Sequence, residues 1–229
     1  MRRETQHVLL LLLGGAVLRI AVDGTHLRYV RPGHRWLLLA AGAVVVTLAV
    51  VALVRDRRGP VPGHHHGGAE RHVPWLLLAP VLVIALVAPP ALGADAVGRT
   101  GSGGAVVRDG DVFGPLADGA ALPVAEFVQR AAWDTGGSLD GRTVELTGFV
   151  VRRGAAVDLA RLTIACCAAD ARAHLVHLAG DVGDPPPDTW LRVRGTVVTG
   201  SATAATGYVP VLAVASVEVV GAPPDPYEY

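Results

Sequence analysis

Residues 36–54 read WLLLAAGAVVVTLAVVALV, a stretch of 19 residues without a single charge. As a helix, such a run crosses the hydrocarbon core of a bilayer, which takes about 20 apolar residues. Trp36 opens it at an interfacial position and Arg55-Asp56-Arg57-Arg58 closes it with a cationic stop. A second run, Val73–Gly93, has the same character, and its Pro80 is better tolerated in a membrane helix than in a soluble one. A third, Val8–Val22, is interrupted by Arg19. A charge inside a span faces a protein partner or snorkels to the interface, so Arg19 is a candidate partner contact. Arg19 and the lack of a small-x-small cleavage site favour a retained span here over a signal peptide. The expected membrane region is therefore residues 1–93, with spans over 8–27, 36–54 and 73–93 and a loop over 55–72.

Arginines set the expected orientation. Arg2 and Arg3 precede the first span, and Arg55, Arg57, Arg58 and Arg71 lie between the second and third. Arg28, Arg31, Arg35, Arg99 and Arg108 fall on the other side. The Arg-rich stop against the membrane tips the balance to a cytoplasmic N-terminus, a plasma-membrane location and an extracytoplasmic C-terminal domain. Charged residues are 17% of the chain, below the roughly 25% of soluble domains. With 20 basic and 20 acidic residues the net charge is zero, so there is no electrostatic footprint for nucleic acid.

Residues 94–110, rich in Gly and small side chains, read as a flexible tether, and 111–229 as a small β domain. One short helix is expected over Leu122–Trp133, where Val124, Phe127, Val128 and Ala131 recur at helical spacing. Strands are expected at Arg142–Val151, Arg161–Cys167, Ala173–Leu178, Trp190–Val198 and Tyr208–Val220. Gly148 and Gly195 sit mid-strand on apolar faces, where glycine marks a bulge or tight bend. The expected fold class is thus three transmembrane helices followed by a five-stranded, OB-like β-barrel, with a β-sandwich fragment the alternative. Arg192 and Arg194, without interleaved aromatics, read as a solvated face.

The chain has two cysteines, adjacent at Cys166 and Cys167, with Asp170 close behind. On a regular strand their side chains point to opposite faces, leaving one thiol buried and one outward. That spacing differs from the C-x-x-C pairs that wrap a structural zinc. The three residues are candidates for thiol exchange, partner contact or binding of a soft or borderline ion such as Cu(I) or Zn(II). Asp170, His174 and His177 could add oxygen or nitrogen. A second candidate is the Gly-flanked cluster His64, His65, His66 and His72, able to hold Zn(II), Ni(II) or Cu(II) through neutral imidazoles without pre-formed geometry. No nucleophile–base set, phosphate loop or zincin motif appears, so a non-enzymatic protein is expected, with cysteine redox activity the minority alternative.

The segments TQHVLLLLLGGAVLRIAVDGTHLRYVRPGHRWLLLAAGAV, LLLAPVLVIALVAPPALGADA, LTIACCAADA and the terminal PPDPYEY resemble the YcgQ-type family of membrane proteins. CCAADA is the distinctive element. The resemblance implies an accessory subunit beside a separate multi-pass permease of the YcgR/YraQ type, embedded in the lipid bilayer. A link to metal or other ion transport is the expectation, the alternative being an envelope thiol-redox protein or metal-binding sensor. The family supplies no catalytic residue; only Cys166, Cys167 and Asp170 carry over, as positions of interest.

Overall fold

Gly14 and Gly42 let the first two helices touch. The computed structural model describes residues 3–58, 89–100 and 113–229, which divide into two compact units, 1–90 and 91–229. In the first unit α1 (Arg3–Val22) packs on α2 (Arg35–Arg58). A Cβ on Gly14 would lie 2.8 Å from Val46 Cγ2 and 3.2 Å from the Gly42 carbonyl, and one on Gly42 would lie 2.8 Å from Leu18 Cγ. Small residues at such a crossing bring two backbones close. His7 Nε2 lies 3.7 Å from Asp56 Oδ2, joining the start of one helix to the end of the other.

The three-span expectation is corrected here. Among the described residues one helix, Pro32–Asp56, is long and apolar enough to cross a membrane. The apolar part of α1, Gln6–Val22, is shorter, bounded by polar residues before it and by Arg19 and Asp23 at its end. Of the expected third span, 73–88 lies outside the described residues and 89–93 is not helical. Of the expected tether, residues 101–110 lie outside the described residues, while Ala94–Thr100 form α3, with Val97 buried and the Ala94 N–H donating to Asp188 Oδ1 at 2.6 Å. Burial of one apolar face and a capped first turn override the poor helix propensity of glycine.

The second unit is built on a seven-stranded sheet rather than the five strands expected. Its strands are β1 (Ala120–Leu122), β2 (Thr143–Arg153), β3 (Ala156–Thr163), β4 (Arg172–Ala179), β5 (Trp190–Val197), β6 (Val211–Val219) and β7 (Tyr227–Glu228). The order β2-β5-β6-β4-β3 returns to β2 through the antiparallel β2–β3 hairpin, so the sheet closes on itself. Closure needs sharp bending, and the two mid-strand glycines lie where strands press together. The β5–β6 register shifts at Arg194/Gly195, a bulge. A Cβ on Gly148 would sit 2.5 Å from the Ala160 carbonyl oxygen.

Inside the ring, Val144, Leu146, Leu159, Val176, Leu191 and Val193 pack with Leu212, and α4 (Val124–Trp133) lays Val124, Phe127 and Val128 against them. A second apolar cluster joins Phe149, Ala160, Leu162, Leu175 and Tyr227 with Val97 of α3. The β2–β3 pairing runs only from Arg153↔Ala156 to Phe149↔Ala160. Beyond it the two strands take other partners: β1 pairs in parallel with Val144–Leu146 of β2, and β7 in parallel with Leu162–Thr163 of β3. The two short strands fill the seam where the ring splays, and leave the thiol-bearing β3–β4 connection at one end of it.

Candidate functional site

The strand that carries the cysteines in sequence stops before it reaches them. β3 ends at Thr163, and Ile164–Ala171 loops over to β4. What ends the strand is Asp170. Its carboxylate accepts the backbone N–H groups of Ala165 at 2.8 Å, Cys166 at 2.8 Å and Cys167 at 3.3 Å. These donors are withdrawn from any sheet ladder, as short acidic side chains do when they offer the backbone a local alternative. Ala168–Asp170 form a single 3-10 turn in which the Asp170 N–H donates to the Cys167 carbonyl at 3.0 Å, and Cys167 and Asp170 cap each other reciprocally.

The expected split of the two thiols to opposite faces is therefore corrected. The chain turns around the carboxylate and brings Cys166 Sγ and Cys167 Sγ to 3.6 Å on one side, both as free thiols. Cys166 is exposed and Cys167 half-buried. The two sulfurs and an Asp170 oxygen all lie within 4.8 Å of one another. Among the described residues this is the grouping of ligand-type side chains close enough to share one ion.

One hydrogen bond sets the charge state of the loop. The Cys166 thiol meets the Asp170 carboxylate, which pushes the thiol up to about 12, with the neighbouring Cys167 side chain adding to the effect. The same bond, with the backbone N–H groups of Ala165 and Cys166, holds the Asp170 carboxyl far below the usual range. At neutral pH the resting loop is a carboxylate beside a protonated Cys166 thiol. Reactive redox cysteines show the reverse, a thiol pulled down by cationic or helix-end surroundings.

The other candidates are placed apart. His174 does not reach the loop: it is buried, with Nε2 bonded to Thr163 Oγ1 at 3.0 Å across the loop's base. His177 lies 2.9 Å from Asp158 Oδ1, a buried carboxylate that also meets Arg153. Arg19 is exposed in the last turn of α1, with Nε 3.9 Å from Asp23 Oδ2. His64, His65, His66 and His72 lie outside the described residues. Arg192 is half-buried and Arg194 exposed; both pair with Glu145, and Arg192 also pairs with Glu218.

Sequence reasoning missed the support of the loop. Glu228 of β7 uses its carbonyl to accept from Ile164 N–H at 3.1 Å, the residue that leads into the loop. Its carboxylate accepts the N–H groups of Val124 at 2.8 Å and Ala125 at 2.9 Å, the first turn of α4. Arg161, whose Cζ lies 4.8 Å from the Trp190 ring centre, approaches the same carboxylate. The available signal was PPDPYEY itself, where Tyr227 is buried and Glu228 alternates with it against β3.

No curated protein and no solved structure matches the chain. Residues 134–229, which take in β2 to β7 and with them the thiol loop, match the DUF1980 C-terminal domain, a domain of an uncharacterised family.

Proposed function

We propose that this chain is an integral membrane accessory protein of the YcgQ type. It works beside a multi-pass permease and presents Cys166, Cys167 and Asp170, outside the cytoplasm, to a metal ion in transit. The observation that carries the reading is the convergence of two thiols and a carboxylate on one exposed loop, pinned by three backbone hydrogen bonds. A rigid, solvent-facing donor set suits capture and release of a small cation better than a buried structural role. The length and apolar character of α2 support a membrane anchor. The redox alternative draws less support, because a thiol held protonated is a slow nucleophile.

The test is affinity capture of the tagged full chain from gently solubilised membranes, paired with ion uptake by cells carrying the Cys166→Ser/Cys167→Ser chain. Co-recovery of a multi-pass protein and loss of uptake in the variant are expected. Recovery of the chain by itself, with uptake unchanged, overturns the reading.

A further inference from the structure

We infer that Cys166 Sγ, Cys167 Sγ and one oxygen of Asp170 form a three-donor site for a divalent ion of tetrahedral preference, of the zinc(II) class, with the fourth position open. The inference deepens the reading of the thiol loop as the working site and does not depend on the permease partnership.

The separation of the sulfurs selects the class. Two thiolates bound at about 2.3 Å to one tetrahedral ion lie about 3.75 Å apart. A linear two-coordinate ion with bonds of that length requires about 4.6 Å, and a disulfide about 2.05 Å. The loop holds them at 3.6 Å. A tetrahedral ion thus enters with almost no rearrangement, whereas linear Cu(I) has to spread the thiols and a disulfide has to collapse them.

The carboxylate is oriented for the same task. An ionised carboxylate has about four lone-pair sites. Three are taken by the N–H groups of Ala165, Cys166 and Cys167. That leaves one for an ion bound beside the thiols, and an Asp170 oxygen lies within 4.8 Å of both sulfurs. When an ion binds, both thiols lose their protons to solvent, two sulfur–metal bonds form, and the fourth lone pair goes to the metal. Two protons leave for one divalent cation, so with the Asp170 carboxylate the loaded site carries one negative charge. The fixed backbone donors act as the outer partners that orient a metal ligand.

No fourth protein ligand closes the site among the described residues. His174 is committed to Thr163 and His177 to Asp158. Three protein donors with an open position is the pattern of sites that exchange ligands rather than of closed structural ones. Water fills the position until a donor from a partner, or from the next binding site, replaces it.

The probe is Co(II), titrated into the full chain in mild detergent under a thiol-free reductant. The expected result is one ion per chain, the visible bands of tetrahedral Co(II), near-ultraviolet thiolate-to-cobalt charge transfer, and displacement by Zn(II). Cys166→Ser and Cys167→Ser should each abolish or halve the charge-transfer band, and Asp170→Asn should weaken affinity about 10- to 100-fold. Histidines give no thiolate charge transfer, so ions held at His64–His66 do not enter the readout. Near-ultraviolet circular dichroism confirms that each variant is folded. Absence of the charge-transfer band in the folded wild type, its persistence when both cysteines are replaced, or binding confined to Cu(I) overturns the inference. The membrane capture experiment reads separately: a permease recovered without cobalt charge transfer sinks only the metal site, and the reverse result sinks only the partnership.

Discussion

Glu228 and Arg161 meet at the seam of the barrel, Oε1 to Nε at 3.4 Å, with each side chain only 11% exposed. Burial pushes the Glu228 carboxyl up, opposed by the N–H groups of Ala125 and Val124 and by Arg161. Burial likewise pushes Arg161 down, opposed chiefly by Glu228. Each charge is tolerated in the interior because the other is there.

Glu228→Ala removes one partner and leaves Arg161 buried beside the bare first turn of α4. Breaking a buried pair in this way costs about 3–5 kcal/mol. Glu228→Gln keeps an oxygen for the helix N-terminus and should cost less. Urea unfolding followed by tryptophan emission, with Trp190 stacked on Arg161, measures both. A loss for Glu228→Ala below about 1 kcal/mol would remove the seam from any account of stability.

His174 gives a pH signature. Burial, with a smaller contribution from Arg172, holds its imidazole down at about 4 rather than 6.5. As pH falls, the unfolded chain takes up this proton first. The stabilisation from a neutral buried His174 is complete above about pH 6.5 and is lost as pH falls toward about 4, a change of at most about 3 kcal/mol. Glu228 acts in the opposite sense: its raised carboxyl favours the fold below its ordinary 4.5, and that contribution is lost as pH rises through the folded value. Urea midpoints between pH 4 and 7 should slope for the wild type and flatten in His174→Gln. Parallel curves for the two proteins would contradict the assignment.

Gly148 and Gly195 are fixed by space rather than by torsion. A Cβ on Gly148 meets the Ala160 oxygen at 2.5 Å and Leu159 Cγ at 2.9 Å, and one on Gly195 presses on the Ala213 carbonyl oxygen. Gly148→Ala and Gly195→Ala should each lower stability by about 1–3 kcal/mol, the usual cost of overpacking. Gly221→Ala is the comparison, since nothing lies within 4 Å of its Cβ position. Thermal melts of the three variants check this, and equal melting for all three would speak against the close strand crossings.

Asp170 governs thiol reactivity in the metal-free chain. Asp170→Asn takes away the charge that holds Cys166 up at about 12. Return toward an ordinary thiol value multiplies the thiolate fraction near pH 8, and allowing for its lower nucleophilicity the alkylation rate should rise about 10- to 100-fold. Maleimide labelling followed by peptide mass spectrometry reads Cys166 and Cys167 separately. An unchanged rate at Cys166 would mean that the carboxylate does not control it.

Local pattern made part of this fold legible. The spacing of Val124, Phe127 and Val128 marked α4, and all three are buried in it. The alternation of Val144, Leu146 and Val150 marked the inward face of β2. Gly148 and Gly195 stood out because a side chain was missing where one was due. What pattern did not convey is set by distant partners. β1 and β7 span three and two residues, too short for any periodicity, and exist because β2 and β3 part from each other. The strand drawn through Cys167 failed because Asp170 competes for three N–H groups that strand propensity assigns to a neighbour. The helix over Ala94–Thr100 failed to register for a similar reason, since burial of Val97 outweighs its glycine.

Closing the ring also decides how this domain behaves in a crowd. An open sheet ends in rows of unpaired backbone groups that can recruit another chain. Here β2 and β3 pair with each other, and the stretches they leave uncovered are taken by β1 and β7. Among the described residues, the outermost strands run to three and two residues. Among the described residues a neighbouring copy therefore meets only these two short edge strands, too short to seed a sheet that runs from one copy into the next.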